Sequence, residues 1–197
     1  FNGQFGAIEL APSPADAAQL TKLMGDALNA LQPQRPGVQD VYLLSASLWG
    51  DPVFEREATQ AEEILRNHLG AQGRSIILSA GGQGQRNYPS ASPENLAAAI
   101  GQIGATMDPD EDLFVVFITT HGRPDGTAAI QEHQRMYGGL RPVHLAALLN
   151  QANIRNRVAI VSACFAGAFI APLATDTSVI MTAAAPDRSS FGCQPQN

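Results

Sequence analysis

Two short apolar runs constrain this chain more than any other feature. The first, Leu113-Phe114-Val115-Val116-Phe117-Ile118-Thr119-Thr120, ends in His121-Gly122. The second, Val158-Ala159-Ile160-Val161-Ser162-Ala163, ends in Cys164-Phe165-Ala166-Gly167. Neither run alternates polar with apolar residues, so each reads as a strand buried on both faces, as in a parallel sheet covered by helices. Open parallel sheets carry their chemistry just beyond the carboxyl ends of the strands. An imidazole at one such end and a thiol at another is the pair a cysteine nucleophile needs. The thiolate attacks a carbonyl, and a neighbouring imidazole holds it as an ion pair or takes its proton, then protonates the leaving amine.

A lone cysteine at a strand end is more often a small core residue, and a lone His-Gly there carries little more weight. The joint occurrence is what points to chemistry, with both groups expected on one solvent-open rim. Gly122 lacks a side chain, so its N–H can approach a substrate carbonyl closely, and the Cys164 N–H is the natural second donor of an oxyanion hole. Gly167 suits a tight strand-to-helix turn after the thiol.

The rest of the chain supplies the layers such a sheet requires. Ser13-Pro14-Ala15-Asp16 is a capped helix start, followed by Leu20, Leu23, Met24, Ala27, Leu28 and Leu31 at helical spacing. Val41 to Leu48 is a strand. A helix then carries Phe54, Ala58, Ala61, Leu65 and Leu69 on one face and stops at Gly70. Ser75 to Ser79 is a strand, and Ser92-Pro93-Glu94 opens a third helix. Residues 123–140 read as a polar loop or hairpin, Leu145, Leu148 and Leu149 mark a fourth helix, and Ser178 to Ala183 is a last strand. The β-α repetition predicts an α/β fold with right-handed crossovers.

The 197 residues suffice for one sizeable core. A net charge of −6 argues against a nucleic-acid partner. No apolar stretch reaches about 18 residues, so a membrane span is not expected in this chain. His68, His133 and His144 are dispersed, and neither a metal nor a cofactor is expected. Gly81-Gly82-Gln83-Gly84 lacks the lysine of a phosphate loop and reads as a mobile loop. Trp49 belongs either to the core or to the cleft, and Asp125 and His133 either assist the dyad or lie on a surface loop. Two cysteines, Cys164 and Cys193, make no disulfide framework, but one bridge between them would disable the nucleophile. The chain starts at Phe1 without Met, which is compatible with a removed leader or anchor and leaves a periplasmic or membrane-anchored location open.

The segments Phe117 to Gly122 and Ser162 to Gly167 resemble the two catalytic blocks of the legumain-type cysteine peptidases, the C13 family of the caspase-like clan. A third segment, Thr182-Ala183-Ala184-Ala185-Pro186-Asp187-Arg188-Ser189-Ser190-Phe191-Gly192-Cys193, is similar to the bacterial branch of that family. The 43 residues from His121 to Cys164 are close to the roughly 50 of a caspase-type arrangement. The likeness covers about residues 38 to 193. It implies a caspase-hemoglobinase fold: a mostly parallel sheet of about six strands flanked by helices on both faces. The whole of 1–197 would be a single domain, with 1–37 an N-terminal arm and helix and the C-terminal part of the family domain missing.

The resemblance further implies a cysteine endopeptidase acting on peptides or proteins through an acyl-enzyme, after Asn or Asp. His121 would be the general acid/base and Cys164 the nucleophile, with Gly122 in the oxyanion hole. Ser189 and Ser190 fall where the family lines its substrate channel. Arg56 falls near a basic residue of the P1 pocket, with a solvated helix position the equal alternative. Ser162, a further candidate substrate-binding residue, and Ala166 stand where plant and animal legumains have Glu and Ser, a departure that argues against strict asparagine specificity. Asn197 could mark a self-processing site, with a separate C-terminal fragment as partner. The rivals are a peptide ligase or transamidase on the same dyad, and a non-catalytic scaffold on the same fold.

Overall fold

The structure is a computed structural model that describes residues 13–81, 86–132 and 135–190, and of residues 135–137 the backbone alone. The arm 1–12, residues 82–84 of the glycine loop, His133, and 191–197 with Cys193 and Asn197 lie outside the described residues.

The elements follow in the order α1 (Pro14–Asn29), β1 (Val41–Ser47), α2 (Pro52–Leu69), β2 (Ser75–Ser79), α3 (Pro93–Thr106), β3 (Leu113–Thr119), β4 (Ala128–Glu132), β5 (Arg135–Leu140), α4 (Pro142–Gln151), β6 (Arg157–Ser162), α5 (Ile170–Leu173) and β7 (Ser178–Thr182). Five strands form one parallel sheet in the order β2-β1-β3-β6-β7. The strand order reverses between β1 and β3, the switch point at which such sheets open a crevice. Among the described residues the sheet has five strands rather than about six. The segment read as a loop or hairpin is the hairpin, β4 against β5.

Local chemistry explains the helix boundaries. Ser13 and Ser92 accept the Asp16 and Asn95 N–H groups, each followed by proline at the first helical position. Gly70, at φ 69°, ends α2 in the left-handed conformation that glycine adopts without penalty.

The pleat of β1 divides two layers. Tyr42, Leu44, Ala46 and Leu48 enter the main core with Phe114, Val116 and Ile118 of β3 and with α3 and α4 residues such as Ile100, Ile103 and Leu149. Leu43 and Val115 face the other way, against Ala71 and Leu65. On that second face α2 packs so closely that the Ser45 hydroxyl donates to the Ala58 carbonyl at 2.7 Å. Helices therefore cover both faces, which is why the strands read as continuous apolar runs.

Buried acids fasten the opposite, N-terminal edge. The Asp40 N–H donates to Asp112 at 2.8 Å, tying the start of β1 to that of β3. The Asp40 carboxylate accepts from the Arg35 backbone and guanidinium. Burial alone would push the Asp40 carboxyl up, but the Arg35 hydrogen bonds and the charges of Arg74 and Arg35 outweigh it and hold it below the usual carboxylate value. A carboxyl depressed in this way adds stability that is complete above its unfolded pKa, about 4, and is lost as pH falls through the lower folded value. Acid titration of unfolding by urea should therefore show a shallower loss below about pH 4 in Asp40→Asn than in wild type. In the main core, Ile118→Ala should cost about 2–5 kcal/mol in the same assay, and Ile118→Val about 0.5–1.5.

Candidate active site

β3 and β6 are hydrogen-bonded neighbours, with Thr119 opposite Ser162. His121 and Cys164 each stand two residues beyond that pair, so strand register alone brings them to one edge. The Thr120 N–H donates to the Ser162 carbonyl at 3.1 Å, extending the ladder to the brink of the site. Beyond it the chains are closer than side chains would allow. A Cβ on Gly122 would overlap the Cys164 carbonyl and lie 2.9 Å from the Cys164 nitrogen. Only glycine fits there.

The hairpin orients this glycine. Gly122 bridges Ala128, while Arg123 N–H donates to Thr127 and Ala129 N–H donates to the His121 carbonyl. Gly122 thus occupies a pair that exchanges no hydrogen bond, and its own N–H is turned away from β4. The hairpin also clips onto its surroundings: the Gln131 N–H donates to the Leu48 carbonyl, and the Thr120 hydroxyl to the Ala129 carbonyl at 2.6 Å.

The His121 side chain is 41% exposed. The rings of Trp49 and Phe54 meet it edge-on, each with centroids 4.9 Å away. Its Nε2 lies 4.0 Å from the exposed Asp51 carboxylate. Trp49 is therefore a wall of the His121 site. Phe54 and Asp51 are neighbours that sequence reading missed: Phe54 falls on the apolar face of α2 and gives no sign that its ring reaches past the helix end.

Cys164 differs from the expectation of a solvent-open thiol. It is 2% exposed and is disulfide-bonded. The chain's other cysteine, Cys193, lies outside the described residues. The cover comes from the segment after β7. The Ser190 N–H donates to the Cys164 sulfur at 3.2 Å, and the Ser190 hydroxyl stands 3.6 Å from it. Phe165 N–H donates to Arg188, and Gly167 N–H donates to Ala184, both at 2.9 Å. A Cβ on Gly167 would run into Pro186. Phe165 itself sits at φ 57°, a left-handed backbone that costs a non-glycine residue about 1–2 kcal/mol.

The other candidates are dispersed. Ser190 joins Cys164. Ser189 is exposed on the same segment, and Ser162 is half-buried at the end of β6. Arg56 is exposed on α2 and makes no ion pair among the described residues. Asp125 accepts the Thr127 N–H at 3.0 Å, which holds a turn. His68 caps a carbonyl of α2, and His144 pairs with Arg141. Among the described residues no cluster of His, Cys, Asp or Glu could hold a metal ion.

Two glycines separate crowding from mere flexibility. Gly122→Ala should lower the melting temperature by several degrees, because backbone rather than a side-chain tip must move. Gly101→Ala, in α3 with nothing within 4 Å of the added carbon, should raise stability by about 0.4–1 kcal/mol.

A comparison with family models matches residues 84–197 to the peptidase C13 family. No curated protein matches the chain. The match takes in β3, the hairpin, β6, β7 and the segment over Cys164, and it covers more than half of the sequence. Arg56 precedes it. The chain belongs to the peptidase C13 family, the legumain-like cysteine peptidases.

Proposed function

We propose that the protein is a cysteine endopeptidase in which Cys164 is the nucleophile and His121 the general acid/base. What carries this reading is the contact of Gly122 with the Cys164 backbone, which joins the His121 and Cys164 strand ends at one edge of the sheet. Cys164, as thiolate, attacks the scissile carbonyl. The tetrahedral oxyanion is met by the Gly122 and Cys164 N–H groups, each worth about 3–4 kcal/mol when well placed. His121 gives its proton to the leaving amine, then takes one from the water that releases the acyl group.

Cleavage after Asn or Asp is the substrate preference we assign. In this reading Ser190, Ser189 and Ser162 would line the substrate channel, and Arg56 would supply a guanidinium for the P1 amide or carboxylate.

The disulfide at Cys164 makes the oxidised protein inactive, since a bonded sulfur is no nucleophile. Activity then requires reduction and withdrawal of the segment over Cys164. A bridge between Cys164 and Cys193 is tested by Cys193→Ser, which should then remove the need for a reducing agent. The deciding experiment is a P1-scanning peptide library against protein treated with a phosphine reductant. Wild type should cleave after Asn or Asp, and Cys164→Ala or His121→Ala should lose a factor of roughly 10³ or more in kcat/KM. Absence of both turnover and active-site labelling with every P1 residue, after reduction, would refute the peptidase reading. A dominant transpeptidation product with added amine would replace hydrolysis by ligation.

A further inference from the structure

Three arginines are buried among the described residues, and they differ in their partners. Arg86 meets Glu132 at 2.6 Å, and Arg74 faces Asp40 at 3.5 Å. Arg157 is 4% exposed and has no carboxylate partner among the described residues. Its one side-chain hydrogen bond runs from Nη2 to the Asn150 side-chain oxygen at 2.8 Å, and its buried Nε–H has no acceptor. A guanidinium keeps its charge at every physiological pH, so removing it from water without a counter-charge is costly. Burial pulls its pKa below the ordinary arginine value, the same cost seen from the proton's side.

This arginine opens β6 at the N-terminal edge of the sheet and lines a depression of about 340 Å³. Thr175, Thr177, Asn150, Asn153 and Arg155 share the lining. Arg155 adds a second guanidinium, exposed and paired at one nitrogen with Asp110. The Thr175 hydroxyl and the side-chain amides of Asn150 and Asn153 add neutral donors, while the Thr177 hydroxyl already donates to the Arg155 carbonyl. The last turn of α4 places partial negative charge nearby, which offsets part of the Arg157 charge but gives Nε no acceptor. Asp176 is the one carboxylate on the lining, and it makes no ion pair with Arg157.

We propose that this depression binds a small tetrahedral oxyanion, inorganic phosphate or the phosphate of a monoester, on the Arg157 guanidinium. Two guanidiniums with surrounding hydroxyl and amide donors suit an anion that accepts from several directions. Seven residues of extended chain separate Arg157 from Cys164, roughly 23 Å. The site is thus remote from the peptidase centre, and its occupancy is read without any catalytic assay.

The test is thermal unfolding at constant ionic strength with inorganic phosphate, glycerol phosphate, acetate and chloride. Phosphate should give a saturable rise in melting temperature, about 5 °C or more at 100 times its Kd, with acetate and chloride inert. Glycerol phosphate matching inorganic phosphate assigns a monoester, and inorganic phosphate alone assigns the free ion. Arg157→Gln should abolish the rise, and Cys164→Ala should keep it. If Arg157→Gln does not fold, Arg155→Gln, whose side chain is exposed, should weaken phosphate binding at least threefold by calorimetry. Asp176→Asn should tighten it. An unsaturable response, or the same response in Arg157→Gln, would overturn the proposal. So would loss of stability in Asp176→Asn without tighter phosphate binding, because Asp176 would then be the missing counter-charge.

Discussion

The parallel pairing of β3 with β6 is the constraint from which the site follows. One ladder sets Thr119 against Ser162, and equal overhangs of two residues deliver His121 and Cys164 to one edge. The register is fixed because both strands are buried on their α3–α4 side. A slip of one residue would turn Val116 and Ile118, or Ala159 and Val161, out of the main core. The placement of the two reactive groups is thus specified by apolar packing far from either of them, and the absent Gly122 side chain lets the last step close.

Much of this was legible in sequence because parallel strands buried on both faces leave a plain mark. The runs before His121 and Cys164, the Ser-Pro helix starts and the Gly70 stop translate directly into elements. What sequence did not disclose depends on directions that periodicity cannot carry. Phe54 and Trp49 converge on His121 from the start of α2 and the end of β1, a meeting that depends on how α2 leaves the switch point. The residues of the 123–140 segment are glycine-containing and polar, so they could not separate loop from hairpin. Cys164 is covered because a segment more than twenty residues later folds over it.

Arg157 illustrates the same limit from the other side. In sequence it is an ordinary polar start to an apolar strand. Its alternation with Ala159 and Val161 puts it on the core face, and only the packed structure shows that no acid among the described residues comes with it. Peptidase-family membership speaks to the C-terminal edge of the sheet. The N-terminal edge has its own electrostatics, and the two ends of β6 carry different kinds of unfinished chemistry.

The two halves of the proposed dyad are suspended from different scaffolding. His121 hangs from the β4–β5 hairpin, through the Ala129 N–H and the clip at Leu48, and leans on two aromatic rings. Cys164 hangs from residues 184–190, through Phe165, Gly167 and Ser190. The two supports meet at one seam, where Gly122 lies against the Cys164 backbone. A peptide lying across the hairpin and one pressing on the serine segment would therefore reach the sulfur through the same backbone contact, from opposite anchors.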